Sequence, residues 1–210
     1  MAQFFTLHPD NPQLRLIKQA VTILRGGGVI ALPTDSSYAL ACHLGDKQAQ
    51  DRMRAIRAVD EQHHFTLMCR DLSEIAIYAH LDNQQFRLLK ANTPGSYTFI
   101  LEATREVPKR LQHPKRNTIG LRIPQHPVTL ALLAEMNEPL LSTTLILPGE
   151  TIPMHEAYVI RDSLEHQLDL ILDAGICGIV PTTVIDLSHG AAILLRAGRG
   201  SLAPFGLSAP

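Results

Sequence analysis

Short apolar runs alternate with helix-period segments from one end of this chain to the other, and that alternation restricts its fold most. Brief apolar runs bounded by turn residues read as buried strands, and repeats at three- and four-residue spacing read as helices with one inward face. A chain that strings the two together in turn builds an α/β or α+β domain, a sheet with helices packed on it. Apolar residues make up 45% of the 210 residues and Trp is absent, so Ile, Leu, Val and Ala must fill a sizeable core.

The spacing of Leu14, Ile17, Val21 and Leu24 predicts a helix over 12–25, capped by Asp10 or Asn11 with Pro12 in its first turn. Gly26-Gly27-Gly28 ends it, and residues 29–32 read as a strand entering the turn-rich Pro33-Thr34-Asp35-Ser36-Ser37. Further strands are predicted at 38–44, 65–69, 97–103, 118–123, 139–145 and 170–172, with a hairpin of 182–187 and 192–196. Helices are predicted at 46–58, 71–80, 82–91, 127–136 and 157–168, those at 71 and 82 opening on an aspartate cap. Residues 148–156 read as a surface loop. No repeat or linker divides the chain, so a single domain over 1–210 is expected, with an N-terminal arm at 1–10 and an irregular tail at 198–210.

Several function classes are disfavoured. The formal net charge is −1, so an anionic partner must be met by a local patch and not by the whole surface. Cys42, Cys69 and Cys177 are odd in number, far apart and set in apolar stretches, the pattern of buried reduced thiols in a reducing compartment. The N-terminus lacks a basic segment followed by an apolar one, and no apolar run reaches a membrane-spanning length, so a cytoplasmic location is expected. The glycine triplet follows a helix and precedes a strand, the reverse of a phosphate-binding loop, and reads as a helix C-cap. Ten histidines are scattered without a metal-binding spacing and read as surface residues; no metal site is expected. No nucleophile elbow or hydrolase triad is legible.

Three hydroxyl clusters follow apolar runs: Thr34-Asp35-Ser36-Ser37, Ser142-Thr143-Thr144 and Thr182-Thr183. They fit two readings, ordinary strand and turn chemistry, or donors to phosphate oxygens and a small polar substrate. Cations gather at Arg105, Lys109, Arg110, Lys115, Arg116 and Arg122, and again at Arg52, Arg54 and Arg57. These too read either as solvated faces or as the lining of an anionic groove. Arg122, inside the apolar strand GLRIP, is a separate case. A buried guanidinium demands a carboxylate or phosphate, and Arg196 after Ile193-Leu194-Leu195 invites the same expectation.

In order along the chain stand GGGVIALPTDSSYALACHL, PGSYTFIL, IGLRIP, LLSTTL, PTTVIDL and LLRAG. This succession resembles the YrdC/YciO family over nearly the whole chain. The resemblance implies a twisted, mixed and largely parallel sheet with flanking helices around a large concave pocket. It implies binding of nucleotide or structured RNA, and formation of threonylcarbamoyl-adenylate from threonine, bicarbonate and ATP for tRNA threonylcarbamoyladenosine modification. By position it places Thr34, Tyr38 and Thr98 near the amino acid, and Arg57, Arg122, Ser142, Thr144, Thr182 and Arg196 near the nucleotide. Lys109, Arg110, Lys115 and Arg116 are the candidates for RNA. ATP or AMP with Mg²⁺ would be visiting ligands, with no permanently bound cofactor, no membrane and no evident protein partner.

The departures from that family pattern cluster. Where the synthases carry Lys-x-Arg to grip the triphosphate, this chain has Arg57-Ala58-Val59; where they carry Ser-x-Asn, it has Ser142-Thr143-Thr144. Asp35, Ser36 and Ala39 are milder changes. Charge gathers on the departing pyrophosphate, so losing one cation there costs about 2–4 kcal/mol in the transition state. The pattern resembles the YciO branch and predicts weakened synthase activity. Hydrolysis of such an adenylate and non-catalytic binding of duplex RNA or tRNA stand as alternatives.

Overall fold

In the computed structural model, which describes residues 1–208, ten strands form one sheet and six α-helices cover it unevenly. The strands are β1 (Gln3–Thr6), β2 (Ile30–Pro33), β3 (Tyr38–His43), β4 (Thr66–Met68), β5 (Tyr97–Glu102), β6 (Thr118–Arg122), β7 (Leu140–Thr144), β8 (Leu170–Asp173), β9 (Thr183–Asp186) and β10 (Ile193–Arg196). The helices are α1 (Leu14–Arg25), α2 (Lys47–Arg57), α3 (Leu72–Tyr78), α4 (Asn83–Asn92), α5 (Pro127–Met136) and α6 (Ala157–Leu164). Across the sheet the order is β1-β8-β2-β3-β7-β4-β6-β5-β9-β10.

The sheet is mixed, as expected, but antiparallel pairs outnumber parallel ones among the described residues. The hairpins β2–β3 and β9–β10 and the pairs β3–β7, β4–β7 and β5–β6 are antiparallel. Only β1–β8, β2–β8, β4–β6 and β5–β9 run parallel, so "largely parallel" is corrected. The N-terminal arm is corrected too. Gln3–Thr6 is an edge strand in register with Leu170–Asp173, a pairing between residues too distant in sequence for local pattern to reveal. The tail holds a 3₁₀ turn, Ala203–Phe205, in otherwise irregular chain, and residues 209 and 210 lie outside the described residues.

Local chemistry accounts for the helix ends. Asp46, Asp71 and Asp82 each accept the N–H three residues on, and Gln85 returns the favour to the Asp82 N–H, completing a capping box. α1 begins later than predicted. The His8 ring accepts from the Asp10 and Asn11 N–H groups, which keeps residues 8–11 in a turn, and Gln13 stands uncapped at the helix start. The glycine triplet is the expected C-cap: Gly26 N–H donates to the Thr22 carbonyl, Gly27 N–H donates to the Leu24 carbonyl, and Gly27 stands at φ +85.

Strand alternation sorts the core into two faces. One face carries Leu40, Cys42, Leu67, Phe99, Leu121 and Leu141 and is covered by α2, α3, α4 and α6 through Met53, Ile56, Ile75, Leu89 and Ile160. The opposite face carries Ile30, Leu32, Ala41 and Leu140 and is covered by α1 and α5 through Ile17, Leu24, Val128 and Leu132. That second cover ends at β7 and β4, leaving the same face of β6, β5 and β9 free to line a cavity. Cys42 and Cys69 are buried as expected, whereas Cys177 is only half-buried.

Candidate functional site

The uncovered face holds a cavity of about 270 Å³. Register explains its lining: Ala39 lies opposite Thr144, Thr66 opposite both Ser142 and Gly120, Met68 opposite Arg122, and Thr98 opposite Val184. These residues share one face and all except Gly120 line the cavity, together with Thr34, Ser36 and Ser37 from the β2–β3 turn and Thr182 and Arg196 from the C-terminal hairpin. Hydroxyls therefore converge from five separate segments. Thr34 Oγ1 bonds the Ser36 hydroxyl at 3.1 Å and the Ser37 carbonyl at 2.6 Å, and Thr98 and Thr182 hydroxyls pair at 3.0 Å.

Three guanidinium groups border these hydroxyls. Arg122 donates from Nη2 to Asp35 at 2.7 Å, the carboxylate partner its apolar strand demanded. Burial alone would push the Asp35 carboxyl up. Arg122, the Ser96 hydroxyl and the Gln125 N–H outweigh it and leave Asp35 below its ordinary range. Arg196 meets no carboxylate among the described residues; it donates to the Thr182 carbonyl at 2.9 Å and hydroxyl at 3.1 Å, and its side chain is exposed enough for water to do the rest. Arg57, at the last turn of α2, donates from Nη1 to Thr143 Oγ1 at 3.0 Å and to the Thr144 carbonyl. Arg57 and Arg122 each keep a buried Nε–H with no acceptor among the described residues.

His63 stands beside this group, its Nε2 3.0 Å from Thr143 Oγ1. Burial, reinforced by Arg57 and by His64, pushes its pKa down to about 4, so the ring is neutral at pH 7. His63 and His64 line the cavity and also a second, larger trough of about 790 Å³. The trough is basic: Arg54, Lys109, Arg110, Lys115 and Arg116 line it against Glu61. Within it Arg110 donates to the Gly45 carbonyl at 3.2 Å and Arg116 stands 3.6 Å from Asp186. His64 and His113 rings lie 4.8 Å apart on its wall.

Of the residues singled out from sequence, Thr34, Thr98, Arg57, Arg122, Ser142, Thr144, Thr182 and Arg196 line the one cavity, and Lys109, Arg110, Lys115 and Arg116 line the adjoining trough. Tyr38 is not brought there. It sits on the opposite sheet face, fully buried, with its hydroxyl donating to the Gly175 carbonyl at 3.0 Å and burial pushing its pKa up. Sequence reasoning missed His63, which it took for a surface histidine, and Thr143 as its partner. The available signal was position, since His63-His64 directly precedes a strand as the hydroxyl clusters directly follow theirs. No group of three His, Cys, Asp or Glu residues comes together as a metal site among the described residues, and no helix there is long and apolar enough to cross a membrane.

The Sua5/YciO/YrdC family model, described as telomere recombination, matches residues 22–198. The crystal structure of E. coli YciO superposes with a TM-score of 0.94 at 54% identity, over 98% of this chain and 100% of that one. The threonylcarbamoyl-AMP synthase of Nitrosococcus oceani is 31% identical over 77% of this chain and 86% of its own length. The structure of P. abyssi Sua5 complexed with L-threonine shares the fold at 22% identity, with a TM-score of 0.85 over 93% of this chain and 57% of that one.

Proposed function

The chain belongs to the Sua5/YciO/YrdC family, and on that premise we propose that it is a nucleotide- and RNA-binding member related to the threonylcarbamoyl-adenylate synthases, with its own synthase activity weakened. One observation carries the reading: Arg57, Arg122 and Arg196 converge with hydroxyls from five segments on a single cavity, where two buried guanidinium N–H groups lack acceptors among the described residues. Buried unsatisfied donors of this kind are costly, and an anionic oxygen is the partner that relieves them best.

In this reading Thr34 and Thr98 bind the amino acid, while Arg122, Ser142, Thr144, Thr182 and Arg196 hold the adenylate. Mg²⁺ would arrive on the phosphates of ATP, and the chain's own part is to orient the reactants and offset their charge. The weakness lies on the pyrophosphate side. Val59 offers no cation, and Arg57 is engaged with Thr143 and the Thr144 carbonyl. A cation held to a backbone carbonyl must leave it before it can follow charge onto a departing pyrophosphate.

The basic trough would carry the RNA backbone, as phosphate contacts from Lys and Arg do without reading sequence. The test is synthesis of threonylcarbamoyl-adenylate from ATP, threonine, bicarbonate and Mg²⁺. The parent should make a low but measurable amount, and Arg57→Lys with Val59→Arg should raise it at least tenfold. Failure of Arg122→Ala to weaken nucleotide binding would remove the reading. Lys115→Ala with Arg116→Ala should weaken tRNA binding and flatten its salt dependence, and unchanged affinity and slope would remove the RNA part.

A further inference from the structure

Three side chains meet where the hydroxyl-lined cavity passes into the basic trough, and they are bonded to one another. Thr143 Oγ1 is the hub. It accepts from Arg57 Nη1 at 3.0 Å, so its own proton is available to the His63 ring nitrogen, also at 3.0 Å. Arg57 is anchored a second time by the Thr144 carbonyl. All three residues border the cavity and His63 borders the trough as well, which puts the cluster where the two adjoin.

The hub is on the other side of β7 from its neighbours. Ser142 and Thr144 face the cavity floor by strand alternation, whereas Thr143 turns toward α2 and the segment that follows it. The cluster thus ties the end of α2 and the His63 segment to the end of β7 across the passage. Beyond it the trough is cationic, so a phosphate chain able to pass would find favourable charge there. The bonded cluster stands in its way, and the neutral imidazole offers no attraction at the crossing.

We infer that Arg57, Thr143 and His63 form a latch that ends the cavity after one phosphate, so that the site takes nucleoside monophosphates and acyl-adenylates in preference to nucleoside triphosphates. The inference rests on the proposed nucleotide site and adds its substrate class. A single phosphate reaches Arg122 and Arg196 on the floor without disturbing the latch. A triphosphate must break the Arg57 and His63 bonds to Thr143 before its outer phosphates reach the trough. A chain with this site is fitted to receive an adenylate that another, ATP-consuming reaction has made.

The experiment is calorimetric titration with AMP, and with ATP in excess Mg²⁺, at pH 7.5. The parent should bind AMP at least tenfold more tightly than ATP. Thr143→Val keeps the shape of the side chain and removes the hub's oxygen, and His63→Ala opens the passage. Each should tighten ATP about five- to tenfold with AMP affinity little changed, while Thr143→Ser, which restores the oxygen, should return the parental ratio. Thermal unfolding of each variant checks that it is folded. An AMP-to-ATP ratio unmoved in both Thr143→Val and His63→Ala overturns the latch, as does a parent that already prefers ATP. Absence of binding by either nucleotide would overturn the nucleotide site itself, and so separates the two failures.

Discussion

Removing one member of the Arg122–Asp35 pair probes how the cavity floor is held. Both side chains are 8% exposed and their charged atoms stand 2.7 Å apart. In Arg122→Met the carboxylate keeps the Ser96 hydroxyl and the Gln125 N–H and loses its guanidinium. A buried charge stripped of its partner costs about 3–5 kcal/mol. The carboxyl has an escape, which is to take up a proton. From its ordinary value of 3.8, protonation at pH 7 costs about 4.4 kcal/mol, at about 1.4 kcal/mol per pH unit. The loss at pH 7 should therefore be about 3–4 kcal/mol, the smaller of two unfavourable choices.

At pH 5 the same escape costs about 1.6 kcal/mol, so the penalty should shrink to about 2 kcal/mol. The sign is opposite in the parent. There Asp35 is depressed, and its contribution is full above pH 3.8 and lost as pH falls through the depressed folded value. Urea denaturation followed by circular dichroism at pH 7 and pH 5 measures both effects, and Arg122→Met with Asp35→Asn should recover part of the loss. A penalty below about 1 kcal/mol at pH 7, or one that does not shrink at pH 5, would refute the reasoning.

Other consequences are as direct. His63 is held neutral down to about pH 4 by burial and then by Arg57, whereas the unfolded chain binds its proton near 6.5, so parent stability should fall as pH drops from 6.5 toward 4. The ceiling is about 3 kcal/mol and solvent screening brings it to about 1–2 kcal/mol; in His63→Gln the denaturation midpoint should fall less over that window. Asp82→Ala removes half of the α4 capping box and should cost about 1 kcal/mol in thermal or urea unfolding. A Cβ on Gly198 would come within 2.3 Å of the Pro181 carbonyl oxygen, so Gly198→Ala should cost about 2 kcal/mol. It should also weaken nucleotide binding measured by calorimetry, because Arg196 is held by Thr182 beside that contact.

Much of the fold was legible because its elements carry strong local signals. The predicted helix over 127–136 is α5 with the same bounds, and Asp71 and Asp82 cap the helices they were expected to cap. Arg122 was legible as a buried cation in want of an anion, because the cost of burying an unpaired guanidinium is independent of fold. What local pattern could not reveal was pairing at a distance. β1 exists because Leu170–Asp173 lies beside it, not because of its own four residues. His63 is a site residue because β7 delivers Thr143 to it from eighty positions away. Tyr38 was misplaced for a different reason. It adjoins the hydroxyl turn in sequence, but strand alternation sends neighbouring residues to opposite faces, and Ala39 is the one that reaches the cavity.

The half-covered sheet has a consequence for how such a protein can change. On β4, β5, β6 and β7 every second position faces the cavity, and the positions between hold the core. Cavity lining and core are thereby written on alternate letters of the same strands. Thr66, Thr98, Ile100, Ser142 and Thr144 can be exchanged for other side chains without altering what α2, α3, α4 and α6 rest upon. A lineage could therefore trade one ligand for another at these positions while the chain continued to fold, and libraries randomised at this parity alone should yield folded proteins far more often than libraries shifted by one residue.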